Sequence, residues 1–351
     1  MPNYTDFCPL DPMENLAEFK ELLQSPKKVA IVTHFKPDAD ALGSSLGLAG
    51  FLRKKGHEVT VISPSDYPDF LAWLPGHESV IAITKSTNEP RERAEHAFAT
   101  ADIIFCLDFS SLSRIHDLGS GVKTSQAIKV MIDHHQEPED FARYRLWDVS
   151  SASTAGLIFE LIDLLGEKSS IDLAIATCLY AGLMTDTGGF RHNNTRHKEF
   201  LIAAELVARG ANPHEISKNI YDTNTLERLR MTGFALYEKL VVLPEFNTTY
   251  MAISAKELQQ FQAQTGDLEG LVNYGLSIKG IKMAVLMYDR KEEIKLSFRS
   301  LGSFSVSDLA RTHFEGGGHH NAAGGSSKMT LEKTLEKFLS ILPQYKQALN
   351  T

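Results

Sequence analysis

Cysteine is scarce in this 351-residue chain: Cys8, Cys106 and Cys178 are widely spaced and form no CxxC pair. That spacing argues against a disulfide framework and against a thiolate zinc site, and two of the three lie in apolar runs where cysteine is plain packing. Long apolar runs are missing too. No stretch approaches the roughly 20 residues needed to cross a bilayer, and the opening Met1-Pro-Asn-Tyr-Thr-Asp-Phe lacks the basic-then-apolar order of a secretion signal. The expectation is a soluble, cytoplasmic protein with no membrane partner. Positive charge is thin as well, with 36 Lys and Arg against 44 Asp and Glu, a net charge of -8 and no long basic run. Duplex DNA, which demands a broad basic footprint, is therefore not an expected partner. A short anionic ligand fits better, because bound metal ions and a few placed arginines can supply positive charge locally.

What the chain does contain is apolar material, 43% of its residues, enough for two packed domains. Short β-branched runs punctuate the first half: Val29-Ala-Ile-Val-Thr, His57-Glu-Val-Thr-Val-Ile, Asp102-Ile-Ile-Phe-Cys-Leu and Ala127-Ile-Lys-Val-Met-Ile read as strands. Helices are predicted at Asp11 to Leu23, about Ala41 to Lys55, Ser153 to Leu165 and Ile171 to Met184. This alternation predicts an α/β fold with a mostly parallel, doubly wound sheet, and such sheets bind ligands outside the carboxyl ends of their strands. Residues 195–240 look helical and charged, a connector between a first domain (1–194) and a smaller α+β domain (241–345). Strands are predicted in the latter at Thr249-Tyr-Met-Ala-Ile-Ser, Lys282-Met-Ala-Val-Leu-Met-Tyr and Glu293-Ile-Lys-Leu-Ser-Phe-Arg-Ser.

The unusual polar residues fall where apolar segments end. The first strand runs into Thr33-His34-Phe-Lys-Pro-Asp38-Ala-Asp40, one imidazole and two carboxylates in a tight loop before a helix. Such a loop can face a cation from three sides, although Asp40 could instead cap the helix through backbone N–H groups. Asp108 follows the buried run Ile103 to Leu107, a costly place for a lone carboxylate. A third strand ends in Asp133-His134-His135, and Asp186 closes a fourth apolar segment. Four independent placements of Asp and His at one sheet edge point to a site. Oxygen and imidazole donors without thiolates favour manganese or magnesium. Two such ions sharing a carboxylate, about 3.5 to 4 Å apart, would suit hydrolysis of a phosphate ester.

A second signal lies near the end, Glu315-Gly316-Gly317-Gly318-His319-His320-Asn321-Ala322-Ala323-Gly324-Gly325. It reads as a loop whose unobstructed backbone N–H groups admit a phosphate, with His319 donating to the phosphate oxygens. Arg299 precedes this segment and offers a planar fork for phosphate, and Arg114, six residues past Asp108, is a weaker candidate of the same kind.

His34-x3-Asp38-x-Asp40, Asp108, Asp133-His134-His135 and Asp186 resemble the successive motifs of the DHH phosphoesterase superfamily. Gly317-Gly318-His319-x-x-Ala322-Ala323-Gly324 resembles the signature of its associated C-terminal domain, and the likeness runs from about Val29 to about Leu342. The motif wording and two-domain size are most similar to the branch that degrades nanoRNA and dephosphorylates pAp. The resemblance implies two manganese ions, for which magnesium could substitute. One would be held by His34, Asp38 and Asp108, the other by Asp40, Asp108, His134 and Asp186, with Asp108 bridging. It implies that Asp108, Asp133 and His135 are catalytic, His135 touching the scissile phosphate and Asp133 orienting the imidazoles beside it. It further implies that Arg299, Gly317, Gly318 and His319 hold the substrate, that the active site lies in a cleft between the domains, and that the substrates are short RNA oligonucleotides and small nucleotides. A homodimer is compatible with the sequence and not required by it. Two rivals stand beside this reading: a soluble hydrolase of cyclic or linear dinucleotides, and a nucleotide- or RNA-binding module without catalysis. The second is disfavoured because every expected carboxylate and histidine is present and aromatic–basic clusters are absent.

Overall fold

The computed structural model describes residues 13, 15–84, 86–264 and 266–350. The chain divides into two compact units, Met1–Thr223 and Asn224–Thr351. In the first, the described elements run α1 (Leu16–Leu22), β1 (Lys28–Val32), α2 (Ala39–Lys54), β2 (Glu58–Ser63), β3 (Ile81–Ala82), α3 (Glu89–Thr100) and β4 (Ile103–Leu107). They continue through α4 (Leu118–Thr124), β5 (Ile128–Asp133), β6 (Tyr144–Trp147), α5 (Thr154–Leu164), α6 (Leu173–Asp186), α7 (His197–Ala208) and α8 (Pro213–Tyr221). The expected start of the first helix, at Asp11, lies outside the described residues.

Each β-branched run forms a strand because both of its faces are covered. Along β1, Val29 and Ile31 point into one apolar layer with α2, α5 and α6, while Ala30 and Val32 point into the other, with Phe98 of α3 and Val122 of α4. Burying such side chains contributes about 1.5 to 3 kcal/mol each before entropy is counted. The strand order is β3-β2-β1-β4-β5-β6 and every pairing is parallel. The short β3 and the edge strand β6, Tyr-Arg-Leu-Trp, had no apolar run to announce them. Order reverses between β1 and β4, so the loops leaving these neighbours diverge and open a crevice at their carboxyl ends. Helices α7 and α8, in the stretch expected as a connector, bury Ile202, Leu206 and Ile216 in the first unit's core.

Cys106 and Cys178 are buried free thiols whose ionisation burial pushes upward, so neither offers a thiolate; Cys8 lies outside the described residues. Among the described residues no helix is long and apolar enough to cross a membrane.

The second unit contains α9 (Leu226–Phe234), β7 (Val241–Leu243), β8 (Thr248–Ile253), α10 (Ala255–Gln260), α11 (Leu271–Leu276), β9 (Met283–Asp289) and β10 (Ile294–Ser300). It ends with α12 (Val306–His313), β11 (Gly317–His319), β12 (Ala322–Ser327) and α13 (Leu331–Asn350). Its mixed sheet has the order β11-β12-β10-β9-β8-β7. Phe338, Ile341 and Leu342 of α13 cover one face, and Leu271 and Val272 of α11 lie in the core of the other.

The glycine-rich segment departs from its expectation as a loop: β11 and β12 form a hairpin with Gly317 opposite Gly324 and His319 opposite Ala322. The absence of side chains explains this, because the strand backbones pack tightly enough that a Cβ on Gly316 would stand 2.2 Å from Gly324 O.

Candidate metal centre

The crevice beyond β1 and β4 collects the polar residues. Asp38, not Asp40, caps α2, its Oδ1 accepting from the N–H groups of Asp40 and Ala41 at 3.0 Å each. Asp40 is thereby turned inward and fully buried. Its Oδ2 accepts from Thr154 N at 2.7 Å and its Oδ1 from Ala155 N at 2.9 Å, both at the start of α5. Close approach of α6 is possible because residue 182 is glycine, where a Cβ would meet Asp40 Oδ1 at 2.7 Å and Ala155 Cβ at 2.8 Å.

Asp108 leaves β4 with φ 65°, a left-handed conformation uncommon outside glycine and typical of residues held for function. Its Oδ1 accepts from Thr154 Oγ1 at 2.8 Å and lies 3.4 Å from His134 Nε2, while its Oδ2 lies 3.5 Å from His34 Nε2. Two imidazoles are oriented by backbone carbonyls: His34 Nδ1 donates to Phe35 O at 2.9 Å and His134 Nδ1 to Ser151 O at 3.1 Å. A carbonyl only accepts, so the proton sits on Nδ1 of each ring, and Nε2 faces the carboxylates with a lone pair whenever the ring is neutral. His134 Nε2 also lies 3.4 Å from Asp186 Oδ2 and 3.8 Å from Asp40 Oδ2. His135 Nδ1 donates to Asp133 Oδ1 at 2.7 Å, and Asp133 Oδ2 is buried with no hydrogen-bond partner among the described residues.

Among the described residues of the first unit, three donor sets made of that unit's own side chains therefore close to within 4.8 Å: His34, Asp38 and Asp108; Asp40, Asp108 and His134; Asp108, Asp133 and His135. Asp108 is common to all of them. Asp186 joins the group as the last residue of helix α6, which extends the helix expected at Ile171 to Met184 by two residues. Thr154 had no signal beyond its place in a helix start.

The electrostatics suit a cation. Burial, followed by the Asp108 charge, holds the Asp40 carboxyl well above the usual range; burial, followed by the Asp40 charge, does the same to Asp186. Burial opposes ionisation of Asp108 too, but hydrogen bonds with His134 and His34 outweigh it and leave its pKa well below normal. His134 and His34 are disfavoured as cations by burial, yet Asp108 and the neighbouring carboxylates raise both, His134 strongly. A group of buried carboxylates that cannot all ionise side by side, with imidazole and without thiolate, matches a hard divalent ion such as Mn2+ or Mg2+.

Of the expected phosphate binders, Arg114 is exposed next to this centre, its charge opposing protonation of His34 and its carbonyl accepting from Phe35 N at 2.8 Å. The others lie in the second unit. In its sheet His319 pairs with Ala322 and Ala322 with Arg299, which places Arg299 and His319 in one row across three strands. Gly317, Gly318, His319 and Arg299 are all half-buried. The hairpin tip is fixed by Asn321 Nδ2, which donates to Ser300 Oγ at 2.8 Å and Gly302 O at 3.1 Å, and Ser307 Oγ donates to Gly318 O at 2.8 Å.

A parallel sheet with carboxylates and imidazoles buried at its switch point, followed by a second unit with a glycine–histidine hairpin, defines a class of two-unit α/β proteins with a metal-type centre. Known families match both parts: the DHH family, N-terminal domain, over residues 28–183, and the DHHA1 domain over residues 247–348. A Thermus thermophilus protein named bifunctional oligoribonuclease and PAP phosphatase NrnA is 31% identical over 93% of this chain and 92% of its own length. A Bacillus subtilis protein of the same name is 29% identical over 84% of this chain and 87% of its own. The crystal structure of an exopolyphosphatase-related protein from Bacteroides fragilis is 37% identical, with a TM-score of 0.91, covering 97% of this chain and 99% of that one. The chain belongs to the DHH phosphoesterase family.

Proposed function

We propose that this protein is a two-metal, manganese-dependent phosphoesterase that hydrolyses short oligoribonucleotides to mononucleotides and 3'-phosphoadenosine 5'-phosphate (pAp) to AMP and phosphate. The observation that carries the reading is the convergence of buried carboxylates and imidazoles on Asp108. The names of the two bacterial relatives supply the substrate classes. His34, Asp38 and Asp108 would hold one ion, and Asp40, Asp108, His134 and Asp186 the other. Bound divalent ions would lower the pKa of water and offset charge on the phosphate.

The protein's own groups do the rest. His134 and His34 keep their protons on Nδ1, leaving Nε2 as the donor atom. His135, its Nδ1 tied to Asp133, is oriented to meet the scissile phosphate. Arg299, His319 and the Gly317 and Gly318 backbone take a second substrate group, and Arg114 adds positive charge beside the centre.

The test is product release from labelled RNA dinucleotide, pAp and a cyclic dinucleotide, side by side, with manganese, magnesium or chelator and an Asp108→Ala control. Manganese-dependent cleavage of the first two that disappears in the control supports the reading. Selective cleavage of the cyclic substrate replaces it with a cyclic-dinucleotide hydrolase, and binding without turnover in any metal overturns the enzyme.

A further inference from the structure

Thr154, the first residue of α5, lies where two buried carboxylates of the centre, Asp40 and Asp108, meet. Its hydroxyl donates to Asp108 Oδ1 at 2.8 Å, its backbone N–H donates to Asp40 Oδ2 at 2.7 Å, and the following N–H, of Ala155, donates to Asp40 Oδ1 at 2.9 Å. The residue itself is fully buried. A hydroxyl against an ionised carboxylate can only donate, so its direction is set.

The helix does not need this hydroxyl. Capping of α5 is done by Ser153, whose Oγ accepts from Gly156 N at 3.0 Å. Asp108 does need it, because the terminal torsion of an aspartate is broad and two-fold, and a carboxylate left to rotate presents no fixed lone pair. With Thr154 on Oδ1, the carboxylate is held with Oδ2 toward His34 and Oδ1 toward His134. A threonine achieves this without adding charge where Asp40, Asp108 and Asp186 already repel one another.

We infer that Thr154 is a positioning residue, whose hydroxyl orients Asp108 while the start of α5 orients Asp40, so that both carboxylates aim at the same space. The assignment rests on the metal-centre reading above. Ordering of ligand groups by neighbouring hydrogen bonds is worth about 10- to 100-fold in metal affinity in comparable sites.

Manganese uptake, followed through the paramagnetic resonance signal of free Mn2+, tests this on the full chain, without substrate. Thr154→Val, close in size but lacking the hydroxyl, is expected to bind manganese about 10-fold or more weaker, whereas Thr154→Ser, which keeps it, stays within about 3-fold of the parent. With an RNA dinucleotide, the Val variant should lose kcat at saturating manganese with KM unchanged. If Thr154→Val does not fold, Thr154→Ala replaces it with the same expectation. A folded variant without the hydroxyl that binds manganese as the parent does overturns the assignment. So does a lowered melting temperature in chelator with unchanged affinity, which is the mark of a merely structural role. A parent chain that takes up no manganese fails the metal-centre reading itself.

Discussion

The two units carry their candidate site residues by opposite means. In the first, chemistry is concentrated in buried ionisable groups, each held by a partner: Asp40 by backbone N–H groups, Asp108 by Thr154, His134 by Ser151, His135 by Asp133. In the second, the candidate residues are half-buried, and five glycines from 316 to 325 stand beside one row containing Arg299 and His319. Burial makes each charge strong and each error expensive. Partial exposure makes contributions graded. The first unit should therefore respond to substitution nearly all-or-none, and the second by degrees.

The sharpest break would come at the shared ligand. Asp108→Asn keeps the shape but removes the charge and replaces one acceptor oxygen with an NH2 donor, and should abolish both manganese uptake and turnover; titration with free-ion detection checks it, and retained stoichiometric uptake would refute the shared role. Next in size is Gly182→Ala, which must push α6 away from Asp40 and α5. It should destabilise the protein by about 1 to 3 kcal/mol, the usual cost of overpacking, and weaken manganese binding as well. Denaturant melts with and without metal separate the two effects.

In the second unit, Gly318→Ala meets a steric obstacle of the same kind. Its φ of 143° disfavours a side chain, and the added Cβ would lie 2.6 Å from Ala322 O. Together with His319→Ala, it should raise KM for an RNA dinucleotide while manganese uptake stays at the parental level. Loss of metal binding in either variant would break the comparison between the units.

The smallest effect is one of pH. His134, with its pKa raised above 6.5, contributes stability that is fully present below that value and is lost as pH rises through the folded pKa. Asp40 and Asp186, raised above 3.8, act in the same direction, since the folded state binds protons more tightly than the unfolded one. Asp108 is depressed, so its contribution holds above 3.8 and fades only in acid. The melting temperature in chelator should thus fall between about pH 6 and pH 9, and manganese, by replacing those protons, should flatten the slope. Melts across that window decide it, and a rising curve in chelator would contradict the arrangement of charges.

Much of this was legible in the chain. The β-branched runs at Val29, Ile103 and Ile128 were strands, and His34, Asp108 and His134 did fall at their ends, because a parallel sheet sends its loops to one edge. Local sequence carried less where backbone proximity decided the outcome. The glycine segment became a hairpin because its backbones pack against each other, and Asp186 lies inside the last turn of α6, past the expected helix end at Met184.

Residue type and spacing by themselves named the candidate donor residues and the sheet edge at which they gather. Only the tertiary structure decided that Asp38 caps α2 while Asp40 turns inward, that Gly182 makes room for it, and that Thr154, 46 residues from Asp108 along the chain, supplies the hydrogen bond that orients it. Periodicity records which face of an element is buried. Which polar atom meets which across that buried layer depends on how the elements pack, and no local pattern encodes it.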